Sequence, residues 1–355
     1  MALSRPPIDG LHALLRDPVA GRLPAALRES LARAWDAEGT GHEASLPWPV
    51  IADTLRNLVS LDADEAALVA ALLYDLPGLR AVASPAVCAQ WPAVGGLLDG
   101  QDAADQVWAL HAGREAGRNG EGLRRLLLAI IQDLRVVPVL LSRQLAKMRA
   151  ANGLPEEERR ALAQLTRDIH APLANRLGIW QLKWELEDLA FRFLDPDTYR
   201  RIARELDESR ADRERYIESV KAQLGQALAA QGLAAEISGR PKHIYSIWRK
   251  MQKKQLPLDK LYDLRAVRVM VADVAACYAA LGVVHSLWAP VPGEFDDYIA
   301  RPKPNGYASL HTAVVGPEGR TLEVQIRTRE MHEQAELGVA AHWRYKETGG
   351  SAAGK

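Results

Sequence analysis

A carboxylate, a carboxamide and a guanidinium stand at alternate positions in Glu323, Gln325 and Arg327, interleaved with Val324 and Ile326. On a strand, residues i, i+2 and i+4 project from one face. The three therefore offer one molecule a metal ligand, a base-edge or sugar hydrogen bond and a phosphate fork. A solvated sheet face is the plainer account of alternating polar residues, but the surrounding motifs favour a nucleotide site. Upstream, the run Pro302, Lys303, Pro304, Asn305, Gly306, Tyr307 offers an aromatic ring to stack on a base, with Lys303 and Asn305 as phosphate or sugar contacts. His311 falls on the same strand face, and a helix carrying His332 and Glu336 follows.

A second group precedes these. Positions 240–254 hold six Lys or Arg residues and no acid. Arg240 and Lys242 stand near the start of a helix, where backbone donors would add to their attraction for phosphate, and Ser246 and Lys250 lie one turn apart on one face. This is triphosphate chemistry, against the alternative of a solvated basic surface. Asp263, at the start of the next strand, and Glu323 could meet across adjacent strands and hold one hard divalent cation. Asp263 could equally cap the strand start or pair with Arg265.

Residues 1 to about 195 are rich in Ala, Leu and Arg, with helical periodicity around 22–37, 50–60, 64–75, 121–135, 139–151 and 156–193. Pro172 interrupts the last run and should start a new helix or kink a long one. The charge-dense stretch 196–230 reads as a helical linker. Beyond Gly232 the pattern interleaves strands at 234–237, 264–271, 283–287, 308–315 and 322–327 with helices at 243–254 and from Asp273 to Leu281. A closing helix spans 329–346, with 348–355 a flexible tail. The fold class is multidomain: an all-α domain over 1–195, a linker over 196–230 and an α/β domain with a mixed sheet over 231–347.

Composition sets bounds. With 355 residues, 48% hydrophobic and 25% charged, the chain fills more than one core. Forty-five basic residues balance forty-five acidic ones, which argues against a surface built to coat nucleic acid. Cys88 and Cys277 lie far apart in apolar surroundings, as expected for buried thiols in a reducing compartment. No run reaches the roughly 18 apolar residues of a membrane span, and the N-terminus lacks a secretion signal. The expected location is the cytoplasm, with no membrane partner.

The second half closely resembles the synthetase domain of the long RelA/SpoT family of alarmone synthetases and hydrolases. The resemblance runs over 160–347, through Ala171 to Gly178, Gly239 to Met251, Tyr262 to Val269, His285 to Trp288, Pro302 to His311, Glu323 to Thr328 and Ala340 to Glu347. It implies a nucleotidyltransferase-like fold and transfer of the β,γ-pyrophosphoryl group of ATP to the 3′-hydroxyl of GTP or GDP, giving (p)ppGpp and AMP in the stringent response. By motif, Arg240, Lys242, Ser246 and Lys250 would hold ATP phosphates. Asp263 and Glu323 would bind Mg²⁺, and Tyr307 would stack on guanine, with Lys303, Asn305, His311, Gln325 and Arg327 completing the site. Asp263, Glu323, Arg240, Lys242 and His311 would carry catalysis, with the general base open between Glu323 and His311. A loop bearing Glu294, Asp296 and Asp297 resembles the acidic form found in the synthesis-only branch. Full-length members engage ribosomes and uncharged tRNA through C-terminal domains that this chain would lack. A non-catalytic nucleotide-sensing or scaffold module is the alternative function.

The first half resembles the family's HD hydrolase domain with its chemistry missing. Where the family has His-Asp followed by Glu-Asp, this chain has Tyr74, Asp75, Leu76, Pro77, Gly78, Leu79. The earlier histidine motif falls near Pro47 and Trp48, with His42 out of register, and Arg143 stands where a late aspartate belongs. Asp75 opposite Arg143 supplies neither the ligand number nor the charge for Mn²⁺. Neither His111 nor His170 has the spacing of a replacement ligand. Residues 1–195 therefore read as a pseudo-hydrolase.

Overall fold

The computed structural model describes residues 8–38, 46–112, 120–208, 210–239, 242–258, 261 and 265–338. Contacts divide the chain into two compact units, the first reaching Ala174 and the second spanning Asn175–Val339.

The first unit is helical, with α1 (Leu11–Arg16), α2 (Ala25–Glu38), α3 (Trp48–Ser60), α4 (Glu65–Asp75) and α5 (Pro77–Gln90). It continues with α6 (Ala93–Ala112), α7 (Gly120–Ile130), α8 (Val136–Ala150), α9 (Glu156–Leu165) and the start of α10 (Ala171–Arg176). α4 is buried without a break from Ala66 to Leu73, and α8 from Val136 to Ala146. α4 is apolar on nearly every side, and over that stretch α8 is buried on every side with Ser142, Arg143 and Gln144 among its enclosed residues, the pattern of helices central to a bundle. Asp64 caps α4 by accepting from Ala67 N at 2.9 Å, and Pro77 opens α5, where its missing N–H is harmless.

The sequence reading placed no helix over α5 and α6, because Pro85 and the glycines of α6 imitate loops. Gly100 explains one of them: a Cβ there would meet Val136 Cγ2 at 2.6 Å, so glycine permits the close approach of α6 to α8. Between α9 and α10 the backbone forms a π-helical turn over Thr166–His170. It sits just ahead of Pro172, whose ring clashes with the carbonyl four residues back and whose nitrogen cannot donate to it.

The second unit comprises α11 (Trp180–Leu194), α12 (Pro196–Glu208), α13 (Arg210–Ala230), β1 (Glu236–Gly239), α14 (Ile244–Lys254) and β2 (Ala266–Val271). Then come α15 (Val274–Leu287), β3 (Ala289–Asp297), β4 (Leu310–Val315), β5 (Thr321–Thr328) and α16 (Arg329–Leu337). The strands lie in the order β1-β2-β5-β4-β3, with β2 and β5 parallel and the other neighbours antiparallel. This is the mixed sheet expected from interleaved strands and helices. Its apolar face carries Val267, Val269, Leu310, Val314, Val324 and Ile326, all fully buried, against Val220 and Leu224 of α13 and Cys277 and Val284 of α15. Each such side chain contributes about 1.5–3 kcal/mol.

Three expectations are corrected. The segment 196–230 is not a free linker: Tyr216, Val220, Leu224 and Leu228 recur every fourth residue of α13 and enter the sheet's core. Charges on the other positions hid that stripe. Residues 283–287 are not a strand but the last turns of α15, because Cys277, Ala280 and Val284 share the face turned to the sheet. The acidic run Glu294, Asp296, Asp297 lies not in a loop but on β3, an edge strand interrupted between Pro290 and Phe295. Prolines that argue against a central strand are tolerated there. Of the closing helix, the part beyond Gly338 lies outside the described residues.

Candidate active site

Strand register sets the site. Gln325 pairs with Arg268 on β2 and with His311 on β4, and His311 pairs with Asp296 on β3. These four side chains thus lie in one row across the face opposite the apolar core. Glu323 and Arg327 flank Gln325 on the same face, one paired with Ala266 and the other with Met270. The predicted i, i+2, i+4 face therefore exists.

The loop before β4 delivers Tyr307. Gly306, at φ +76°, makes the tight turn in which Gly306 N donates to Lys303 O at 2.8 Å. Tyr307 OH lies 2.8 Å from His311 Nε2, and Lys303 Nζ lies 5.2 Å from the Tyr307 ring centroid. Trp180 meets the same ring edge-on at 5.8 Å. Tyr307, His311, Gln325, Arg327 and Lys303 line one cavity of about 110 Å³.

Arg327 is nearly enclosed at 2% exposure. Its guanidinium donates to His332 Nδ1 at 2.7 Å and lies 3.5 Å from Glu336, which is also 3.8 Å from Arg268. Burial and the cations Arg327, Arg268 and Arg329 push His332 down to about 4, so it accepts as neutral imidazole. Sequence reasoning noted His332 and Glu336 but gave them no role, and it missed Arg268, Trp180 and Trp184. Arg268 carried a signal, being polar between Val267 and Val269 on a strand.

Glu323 Oε2 accepts from Lys242 Nζ at 3.1 Å and its Oε1 from Gln325 Nε2 at 2.7 Å. Lys242 and Glu323 thus meet as motifs 81 residues apart. Asp263 and Arg240 lie outside the described residues. Ser246 and Lys250 are half-buried on α14, beside the stripe on which Ile247 and Met251 are buried. One expectation fails here. The α14 N-terminus does not lend its donors to a ligand, because Asp188 of α11 accepts from Tyr245 N at 2.8 Å and Ile244 N at 3.3 Å. A carboxylate remote in sequence has taken the place of the phosphate.

Asn305 is engaged on both sides, donating to Asn175 O of α10 at 3.2 Å and accepting from Tyr307 N of its own loop at 3.3 Å. It shapes the loop that carries Tyr307. The β3 carboxylates are engaged as well: Glu294 with Lys254 at 3.2 Å, Asp297 with Tyr278 OH at 2.9 Å and with the backbone of the following turn, and Asp296 with Tyr298.

In the first unit, Arg143 Nε lies 2.9 Å from Asp75 and its Nη2 donates to Gln101 at 2.6 Å, with the guanidinium 4.5 Å from the Tyr74 ring centroid. Tyr74 OH donates to Asp105. Leu79 and Trp48 are buried apolar side chains where acid and histidine were sought. His111 pairs with Asp168 at 3.3 Å, and His170 is buried with its ring 4.6 Å from that of Trp108. His42 lies outside the described residues. Among the described residues, no group of three or more His, Cys, Asp or Glu side chains is placed to hold a metal.

Residues 239–350 match the family described as "Region found in RelA / SpoT proteins", and residues 31–180 match an HD domain. The chain is 47% identical over 335 residues to a GTP pyrophosphokinase of Escherichia coli (strain K12), covering 92% of this chain and 45% of that protein. The chain belongs to the RelA/SpoT family. A GTP pyrophosphokinase of Photobacterium angustum is 49% identical over 85% of this chain and 41% of its own length. A Synechocystis relative, 51% identical over 65% of this chain and 30% of its own, is named as a probable guanosine-3′,5′-bis(diphosphate) 3′-pyrophosphohydrolase. The chain thus spans less than half the length of each of these RelA/SpoT relatives. A solved small alarmone synthetase 1 of Bacillus subtilis aligns over 42% of this chain and 84% of its own, at 22% identity and a TM-score of 0.33. Among the described residues, no helix is long and apolar enough to cross a membrane.

Proposed function

We propose that the second unit transfers the β,γ-pyrophosphoryl group of ATP to the 3′-hydroxyl of GTP or GDP, making (p)ppGpp and AMP, and that the first unit has lost hydrolysis. The observation that carries the reading is the convergence of Tyr307, His311, Gln325 and Arg327 on one cavity, with Lys242 on neighbouring Glu323. The named activities of the GTP pyrophosphokinase relatives point the same way.

In this reading Tyr307 stacks on guanine with Lys303 beside it. Gln325 and His311 hold sugar and base edges, and Arg327 meets phosphate. Arg240, Lys242, Ser246 and Lys250 bind the ATP phosphates. Lys242 reaches Glu323 as it stands, so its ammonium can exchange the carboxylate for a phosphate. Positioning the 3′-hydroxyl in line and meeting charge on the transferring group are the protein's two tasks.

A divalent cation, Mg²⁺ by family resemblance, fits the donor chemistry. Glu323 supplies a hard oxygen, and Asp263 precedes by three residues Ala266, the strand partner of Glu323. Bound there, the cation would neutralise and join the donor phosphates. The β3 carboxylates would mark the synthesis-only branch, and control through ribosomes and uncharged tRNA would belong to domains outside this chain. Cytoplasmic residence accompanies the reading.

Loss of hydrolysis is supported by Arg143 on Asp75, since a guanidinium repels the cation that such a site requires. The Synechocystis name keeps a bifunctional enzyme in view, and one experiment addresses both activities. Labelled ATP with GDP or GTP and Mg²⁺ should yield guanosine tetra- or pentaphosphate and AMP, while ppGpp with Mn²⁺ should stay intact. Tight binding of both substrates without product at any Mg²⁺ concentration would instead favour a nucleotide-sensing module. Pyrophosphate release abolished by Asp75→Asn would restore the hydrolase.

A further inference from the structure

The geometry points to a second small-molecule site in the first unit: a cleft between α3, α6, α8 and α9 that takes an anionic amphiphile, one carboxylate, sulfonate or phosphate-monoester head on an aromatic or acyl body. The cavity measures about 770 Å³, within the range of sites for drug-sized ligands. Val50, Trp108, Leu154, Leu162 and Leu165 furnish its walls, and Lys147 is its one ammonium among the described residues. This site is independent of the pyrophosphoryl-transfer reading.

Lys147 has no hydrogen bond or ion pair among the described residues, although its side chain opens into the cleft. Three charged groups near it on α6 and α8 are engaged with partners. Arg143, one turn earlier on α8, is consumed by Asp75 and Gln101, His111 by Asp168, and Asp105 by Tyr74. Enclosure and the Arg143 charge both hold the Lys147 pKa below the ordinary lysine range, against a weaker pull from Asp75 and Asp105. Glu158 is the only carboxylate among the described residues of the lining, and it is exposed on the first turn of α9. The exposed Lys147 ammonium stands in the lining of an otherwise mostly apolar cleft, where an anionic head could pair with it while an apolar body covers the walls.

The body of the ligand is set by the walls. Trp108 lines the cleft and packs against buried His170 at a centroid separation of 4.6 Å. The α9 wall is tied down where Thr166 Oγ1 donates to Leu162 O at 2.8 Å and accepts from Gln144 at the same distance. A largely apolar cleft with an exposed ammonium in its lining favours a single negative charge and a hydrophobic body. Guanosine polyphosphates, with several charges and a polar base, are poorly matched to it.

The test uses the full chain and 8-anilino-1-naphthalenesulfonate as the anionic probe, with N-phenyl-1-naphthylamine as its neutral counterpart. One saturable site is expected, displaced by decanoate. Lys147→Met should weaken the sulfonate roughly tenfold or more, the loss of one charge-assisted contact, and leave the neutral probe unchanged. Ala161→Trp, placed on an exposed lining position, should exclude both probes without altering thermal unfolding. Equal sulfonate binding by Lys147→Met and the parent would overturn the proposal. So would displacement of the probe by ppGpp but not by decanoate, which would make the cleft a nucleotide site.

Discussion

Each unit encloses an arginine, Arg143 at 5% exposure and Arg327 at 2%, and the company each keeps separates a scaffold from a site. Arg143 is answered entirely by protein: the Asp75 carboxylate, the Gln101 carboxamide and the Tyr74 ring. Arg327 meets a neutral histidine and a partly exposed carboxylate, and it lines a cavity with Tyr307 and Gln325. A matched buried charge holds helices together and has nothing left for a ligand. A charge that lines a cavity is placed where a ligand can meet it.

The largest expected effect strikes the matched cluster. Arg143→Ala strands Asp75 and Gln101 between α4, α6 and α8, and breaking a buried pair from one side costs about 3–5 kcal/mol. Denaturant unfolding should show the first unit losing that much while the nucleotide site keeps its ligands. Arg143→Met, which fills the volume and leaves the same carboxylate uncompensated, should recover only part of the loss. Unfolding unchanged in both variants would mean that the cluster is no scaffold.

The open cluster answers in rate instead. Glu323→Gln keeps volume, removes the charge facing Lys242 and should lower synthesis about 100-fold, roughly 2.7 kcal/mol of barrier, with little change in thermal unfolding. Asp263→Asn should do the same if both carboxylates serve one cation. A variant that loses stability along with rate would place Glu323 with Arg143, among the scaffold charges.

Much of this contrast was legible in residue types. Alternation disclosed the Glu323, Gln325, Arg327 face because strand geometry is local, and the residue types around Tyr74 raised the proposal of a lost hydrolase. What escaped depends on distant partners. Asp188 caps α14 from 56 residues away, and nothing at Ile244 signals a filled N-terminus. The α13 stripe of Tyr216, Val220, Leu224 and Leu228 was masked by charges on its other faces, and β3 by prolines that only an edge position excuses. Arg268 joins the site through its register with Gln325, which no local pattern specifies.

A smaller effect tests the aromatic wall. Tyr307→Ala should weaken the guanosine nucleotide by about 1–3 kcal/mol, the range for base stacking on an aromatic side chain, with less effect on ATP. Tyr307→Phe separates the ring from the hydroxyl that meets His311 at 2.8 Å. It should retain guanosine affinity and show any cost of the hydroxyl in rate alone. Equal weakening of both nucleotides by Tyr307→Ala, measured by calorimetry, would remove the stacking role.

The smallest effect concerns protons and again sets the two units side by side. His332 in the second unit is pushed down to about 4, and His170 in the first to about 3, both chiefly by burial. An unfolded histidine titrates near 6.5, so between the folded and unfolded values the unfolded chain binds more protons. Stability therefore rises with pH across that window and is lost as pH falls through it. At pH 5 only roughly a tenth of folded His332 carries a proton, so guanosine affinity should drop slightly there and clearly at pH 4, where the Arg327 contact to Nδ1 breaks. His332→Gln keeps an acceptor for Arg327 without titrating. It should flatten the stability slope of the second unit between pH 4 and 6.5 and leave the His170 contribution in the first unchanged. Unit-resolved hydrogen exchange across that range separates the two, and an unaltered slope in the second unit would show that His332 is not held neutral among its arginines.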